Sequence, residues 1–258
     1  MGVLTLAVGP VAEPVRRFVL FGGLHLLILF TTVALPAALS VLVRRGERAA
    51  VAKWLAGGMA AILAADYVFT VSWALHVGKI DYWAKALPMH LCDWASIVVI
   101  VALLNRRQLP YELAYFWGLS GTFQAVLTPD VHENFPNPLF ISFFVSHCGI
   151  IISVLFLTWG IKLRPQPGAV WRAWGWSQLY LVCAGVVNWI FRAHGINFGY
   201  LAAKPPHGSL LDFFGPWPWY ILTLEAMALV FYTAFYLPFW IGRQRVARTG
   251  EKRLISAP

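Results

Sequence analysis

Residues 18–43 read FVLFGGLHLLILFTTVALPAALSVLV, without one Lys, Arg, Asp or Glu. Six more mainly apolar stretches follow at 54–76, 87–104, 112–128, 138–161, 174–193 and 218–241. About 20 such residues in a helix cross the hydrocarbon core of a bilayer, whereas a transmembrane barrel needs strict alternation of apolar and polar residues, which is absent here. The sequence therefore predicts an all-α, polytopic membrane protein built as a seven-helix transmembrane bundle. Composition agrees, with 59% hydrophobic and 12% charged residues, against roughly 25% charged in an ordinary soluble domain. The fourth span is the shortest and is interrupted by Gly118, Gly121 and several hydroxyls.

The net charge of +9 would suggest a polyanion partner in a soluble protein. Here the basic residues sit between spans and at the C-terminus, so they orient the chain, and no nucleic acid is expected. Arg16, Arg17, Lys79, Lys85, Arg192 and Lys204 fall on one side, and every other one of the 20 Lys and Arg residues falls on the opposite side. The positive-inside rule puts that richer side in the cytoplasm, hence the N-terminus outside and the C-terminus cytoplasmic. Trp73, Trp83, Trp117, Trp217, Trp219 and Tyr220 lie near predicted span ends, where amphipathic rings prefer the interface. The chain divides into a short extracytoplasmic N-terminus (1–17), the transmembrane domain (18–241) and a basic cytoplasmic tail (242–258), expected to be unfolded or to lie on anionic lipid. The opening residues lack a basic start, so the first span is expected to serve as the insertion signal at the cell membrane. Cys92, Cys148 and Cys183 all lie inside spans, which gives neither a disulfide framework nor paired zinc-ligand spacing.

Once topology is set, each polar residue within a span acquires a depth at about 1.5 Å per residue. His25, Asp66, His90, Asp93, Gln124, His147, Asn188, Arg192 and Glu225 all fall in the outer half, and Glu112 stands almost alone at the inner edge. Ionisable groups in membrane spans are costly, face the bundle interior or a wet cavity, and pair with one another. The simplest arrangement is one outward-open cavity lined by these residues. His90 and Asp93 are three apart and Asn188 and Arg192 four apart, so each pair shares a helix face. An Asp beside a His raises its basicity and fixes its tautomer, as a general base or metal ligand requires. The same pair also fits a hydrogen-bond network at a helix start. His147 is a second candidate base, with Ser146 and Cys148 as neighbouring nucleophile types. Arg192 offers a forked donor set for a carboxylate or phosphate, with Glu225, Asp66 or a bound anion as its partner. His25 and Asn188 equally suit the bridging of helices. No cofactor signature is present.

The segments LPMHLCD, YFWGLSGTFQAVLTPD, FFVSHCGI, VVNWIF, NFGYLAAKP and SLLDFFGPWPWY resemble the bacterial YwaF-like integral membrane proteins, over about residues 18–241. That group is distantly similar to the transmembrane protein 164 family, described as phospholipid acyltransferases with a cysteine nucleophile in a Pro-Cys-His context. The resemblance implies that Pro88, Met89 and His90 occupy that context, with Met89 at the nucleophile position; Cys92 takes its place only if the alignment slips by three residues. The related androgen-induced membrane hydrolases pair a threonine with a histidine.

Three functions are compatible with these readings. The first is a lipid-modifying acyl hydrolase or acyltransferase, with membrane lipids as partners and a phospholipid or fatty-acyl substrate. His90, Asp93 and His147 would then be catalytic, and Arg192, Asn188, Gln124, Asp66, Glu225 and His25 would line the substrate pocket. The second is a transporter or proton-coupled carrier working through Asp66, Glu225 and the histidines. The third is a metal-dependent hydrolase drawing ligands from His25, His90, His147 and an aspartate. The chain lacks the His-x-x-x-His of ceramidase-like zinc hydrolases, and no metal ligand is assigned.

Overall fold

The computed structural model describes residues 18–45, 48–76, 83–129, 131, 134–204 and 210–255. The N-terminal segment with Arg16 and Arg17, Lys79, His132 and His207 lie outside these residues. The described residues are 80% helical, with no strand among them. Its helices are α1 (Gly23–Arg44), α2 (Ala49–His76), α3 (Leu91–Asn105), α4 (Gln108–Trp117), α5 (Phe123–Leu127), α6 (Pro138–Trp159), α7 (Ala169–Ile190) and α8 (Trp219–Ile255). A π-helical turn, Gly118–Thr122, joins α4 to α5 with helical backbone angles at both junctions. These three pieces make one rod, and among the described residues the bundle has seven.

Of the helices, α1, α2, α6 and α8 are long and apolar enough to cross a membrane, and α3 is a shorter apolar helix. Helix ends follow local chemistry. Asn137 caps α6 by accepting the Leu139 N–H at 2.8 Å, with Pro138 in the first turn, where a missing N–H costs nothing. Between α3 and α4 the chain turns in two residues: Arg106 adopts a left-handed conformation (φ 55), and the Arg107 N–H donates to Asn105 Oδ1 at 2.8 Å. Helix α7 starts five residues before the predicted span, so Arg172 belongs to the helix and not to a loop. Helix α8 runs unbroken from Trp219 to Ile255, through most of the predicted tail.

Small residues set the packing, as expected where helices cannot rely on a hydrophobic driving force and must approach closely. Ala52, Ala56 and Ala60 recur every four residues on α2 and are buried in one core with Ala95, Val99 and Ala102 of α3. At Gly149 of α6 the approach to α2 is so close that a Cβ there would lie 2.8 Å from Leu63 Cδ2. Helix α6 is central, touching α1, α2, α3 and the α4–α5 rod, while α7 and α8 pack on each other and join the rest mainly through α4.

The inner end holds a polar latch. Glu112 is fully buried and accepts from Arg172 Nε (2.8 Å) and Nη2 (2.9 Å), from Gln108 Nε2 (2.8 Å) and from the Gln166 N–H (2.8 Å). The connection between α6 and α7 is pinned carbonyl by carbonyl: Tyr111 Oη donates to Leu163, Gln108 to Arg164, Arg243 to Pro165 and Arg172 to Pro167.

Candidate active-site cavity

Between the outer halves of α2, α3 and α6 lies a cavity of about 350 Å³. Helix α2 contributes Asp66, Tyr67 and Thr70, α3 contributes Cys92, Asp93 and Ser96, and α6 contributes Ser142, Ser146 and His147. Leu63 and Ile150 also line it, at the level where the Gly149–Leu63 approach brings α2 and α6 together.

Asp66 is held by the Ser142 hydroxyl, which donates to Oδ1 at 2.7 Å. The Thr70 hydroxyl touches Ser142 Oγ and donates to the Asp66 main-chain carbonyl at 2.8 Å. His147 stacks on Phe143 (4.2 Å between centroids), and its Nδ1 lies 2.8 Å from the Phe143 carbonyl and 3.1 Å from Ser146 Oγ. A carbonyl only accepts, so Nδ1 carries the proton and Nε2 keeps its lone pair. Among the described residues no protein group engages that Nε2. The imidazole is thus held, by its own helix, in the tautomer a general base needs.

Asp93 accepts the main-chain N–H of His90 at 2.9 Å through Oδ2, capping α3 where a carboxylate also favours the helix dipole. The expectation that Asp93 orients the His90 imidazole gives way to this contact, because at three residues' separation the carboxylate reaches the unsatisfied N–H of the helix start. The His90 ring lies edge-on to Phe198, 4.9 Å away, and does not line the cavity.

The cavity therefore gathers Asp66, Asp93 and His147, and the other expected site residues lie elsewhere. His25 is fully buried between α1 and α5, with Nε2 donating to the Val126 carbonyl at 2.8 Å and Nδ1 accepting the Phe21 N–H at 3.0 Å. Asn188 holds the main chain of Phe198 at both ends, by Nδ2 to its carbonyl (2.9 Å) and by Oδ1 from its N–H (2.8 Å). Arg192 is exposed, donates to the Trp189 carbonyl at 2.9 Å and lies over the Trp189 ring. Glu225 takes a hydrogen bond from Gln178 across α7 and α8. Gln124 is half-buried on α5, outside the cavity wall. Among the described residues no three His, Cys, Asp or Glu side chains converge to hold a metal ion.

Ser142, Thr70 and Ser96 were missed as site residues. A signal for them exists, since Asp66/Thr70, Cys92/Ser96 and Ser142/Ser146 are each four apart and so share one helix face. It is weak, because hydroxyls in membrane helices mostly bond to their own backbone.

The family model of the TMEM164 family matches residues 20–236. An uncharacterised protein of Treponema pallidum (strain Nichols) is 29% identical over 226 residues, covering 86% of this chain and 90% of that one. No solved structure matches the chain.

Proposed function

The chain belongs to the TMEM164 family, and from that premise we propose that its cavity is the site of lipid acyl hydrolysis or acyl transfer at the outer leaflet. One observation carries the reading: His147 donates Nδ1–H to the Phe143 carbonyl, which leaves Nε2 with its lone pair, and it lines the same cavity as Cys92. A thiol and a base in one pocket are the parts of nucleophilic acyl chemistry. The base is His147 and not His90, whose ring is turned to Phe198.

In the first step the Cys92 thiol passes its proton to His147 Nε2 and its sulfur bonds to the ester carbonyl carbon, whose π electrons move onto oxygen. Collapse of that adduct breaks the ester C–O bond. The departing alkoxide takes the proton from Nε2, leaving a thioester on Cys92. Water, in hydrolysis, or a second lipid hydroxyl, in transfer, then gives its proton to His147 Nε2 and bonds to the thioester carbon; the C–S bond breaks and the departing Cys92 sulfur takes the proton back from Nε2. Tight packing at Gly149 and Leu63, on the inner side of the cavity, favours this reading over a carrier, which needs a polar route to the other face.

The test is acyl release and transfer from labelled phospholipids by the purified protein in nanodiscs. Wild type is expected to turn lipid over, and His147→Ala to lose on the order of 100-fold or more, the usual worth of general base catalysis. Cys92→Ala separates a covalent route, which it abolishes, from direct attack by water, which it spares. Absence of wild-type turnover sinks the proposal.

A further inference from the structure

The cavity goes no deeper than one helical turn below His147. All three of its walls end at that level: α6 lines it from Leu139 to Ile150, one turn past His147, and α3 lines it from Cys92 to Ser96. Helix α2, which runs the other way, lines it from Val71 down to Leu63, one turn past Asp66. At 1.5 Å per residue, the space beneath Cys92 and His147 is about 5 Å deep.

The floor is closed by packing. Leu63 is 3% exposed and Ile150 fully buried, and both belong to a core that continues inward with Ala60, Val99 and Val154. A Cβ at Gly149 would lie 2.8 Å from Leu63 Cδ2, and one at Gly118 would lie 3.1 Å from Ile150 Cγ2. Neither floor residue has room to retreat. The sides are closed at this depth as well. Ser142 donates to Asp66 across α2 and α6, and the π-helical turn lies over the seam between α3 and α6, with Gly118 against Ile150 and Gly121 against Leu91. Between α2 and α3, Ala60, Ala95 and Val99 are buried in the shared core. An interior packed this closely takes extra methylenes only by straining its side chains and backbone.

We infer that Leu63 and Ile150 set the length of the acyl group, and that the site acts on short acyl esters carried by an outer-leaflet lipid. This rests on the acyl-transfer reading above and names the substrate class within it. A lipid of the outer leaflet points its head toward the outer surface and its chains toward the bilayer centre. The chain of an ester whose carbonyl carbon meets Cys92 therefore runs down onto the floor. With C–C bonds of about 1.5 Å, a depth of about 5 Å is filled by an acyl group of about two to four carbons. A palmitoyl chain in the same position has to displace both floor residues. The thioester left on Cys92 is then a short one, and its formation and breakdown follow the steps already given.

The test is a series of phospholipids labelled on one acyl group of graded length, acetyl, butanoyl, octanoyl and palmitoyl, presented to the protein in nanodiscs. Wild type is expected to turn over the first two and to lose on the order of 100-fold in kcat/KM at octanoyl and beyond, as methylenes added to a full pocket do. Leu63→Ala deepens the floor and should raise the octanoyl-to-butanoyl ratio of kcat/KM roughly tenfold. Ile150→Val, a milder change, should move the ratio the same way, so the result does not hang on the folding of one variant. Leu157→Ala removes an equally buried core side chain away from the cavity and should leave the ratio alone. Wild-type preference for palmitoyl, or an equal shift in Leu157→Ala, overturns the inference.

A second readout needs no turnover. With Cys148→Ser and Cys183→Ser in place, straight-chain alkanols at equal membrane concentration are expected to protect Cys92 from iodoacetamide up to butanol and to fail at greater length. Leu63→Ala should carry that limit to longer alkanols. If no ester of any length is turned over, the acyl-transfer reading falls by itself. The floor then stands on a limit that moves with Leu63→Ala, and it is overturned by protection that is absent or ignores chain length.

Discussion

His25 and His147 are both histidines in the outer part of the bundle, on helices that touch, and they use their rings in opposite ways. His25 spends both nitrogens on main-chain groups, tying α1 to the end of α5. His147 spends one and leaves the other in the cavity. Replacing His25 by Leu strands a buried carbonyl and is expected to cost about 1–3 kcal/mol, measured by thermal unfolding in detergent, with turnover per folded molecule unchanged. His147→Gln should behave in the reverse manner, losing turnover while keeping its melting temperature within a few degrees. The sequence located both residues in depth, because depth follows from counting along a span. It did not say which way either ring points, since that depends on which neighbour presents a free carbonyl. Asn188 was opaque for the same reason: its partner, the Phe198 main chain, lies in a loop whose path no periodicity announces.

At the level of the element, the inner latch is the strongest single feature. Glu112, fully buried, binds α4 to α7 and to the connection before it. Glu112 is buried but the Arg172 side chain is 41% exposed, so Glu112→Ala leaves a cation that water can reach and costs the hydrogen bonds to the carboxylate, about 1–3 kcal/mol of stability. It should also expose residues 160–168 to protease, seen as a new cleavage site in limited digestion. Glu112 was visible in the sequence as an isolated inner acid, but Arg172 was counted among the loop cations because α7 was expected to begin five residues later. The contact between α2 and α6 makes a gentler prediction. Gly149→Ala drives a methyl into Leu63 and should cost about 1–3 kcal/mol as overpacking, and adding Leu63→Ala should recover most of it, as a double-mutant cycle in denaturant would reveal. Helix class was legible from the apolar stretches, and their number matches the seven rods, although only α1, α2, α6 and α8 are long and apolar enough to cross a membrane on those grounds alone. The i, i+4 pairs that build the cavity were present in the text of the chain but hidden among other hydroxyls.

For the molecule as a whole, polarity is segregated by end. The cavity serves one side, and the latch closes the other. With Cys92 as the remaining cysteine, a small membrane-impermeant maleimide is expected to label oriented vesicles from the outer face and not from the inner one. Labelling from both faces would restore the carrier reading. The length of α8 adds a dimension of its own. Its 37 residues extend about 55 Å at 1.5 Å each, against a hydrocarbon core of about 30 Å. Since α8 begins near the outer boundary, about 25 Å of continuous helix is available beyond the inner one. The last described turns then act as a stalk that stands clear of the headgroups instead of resting on them.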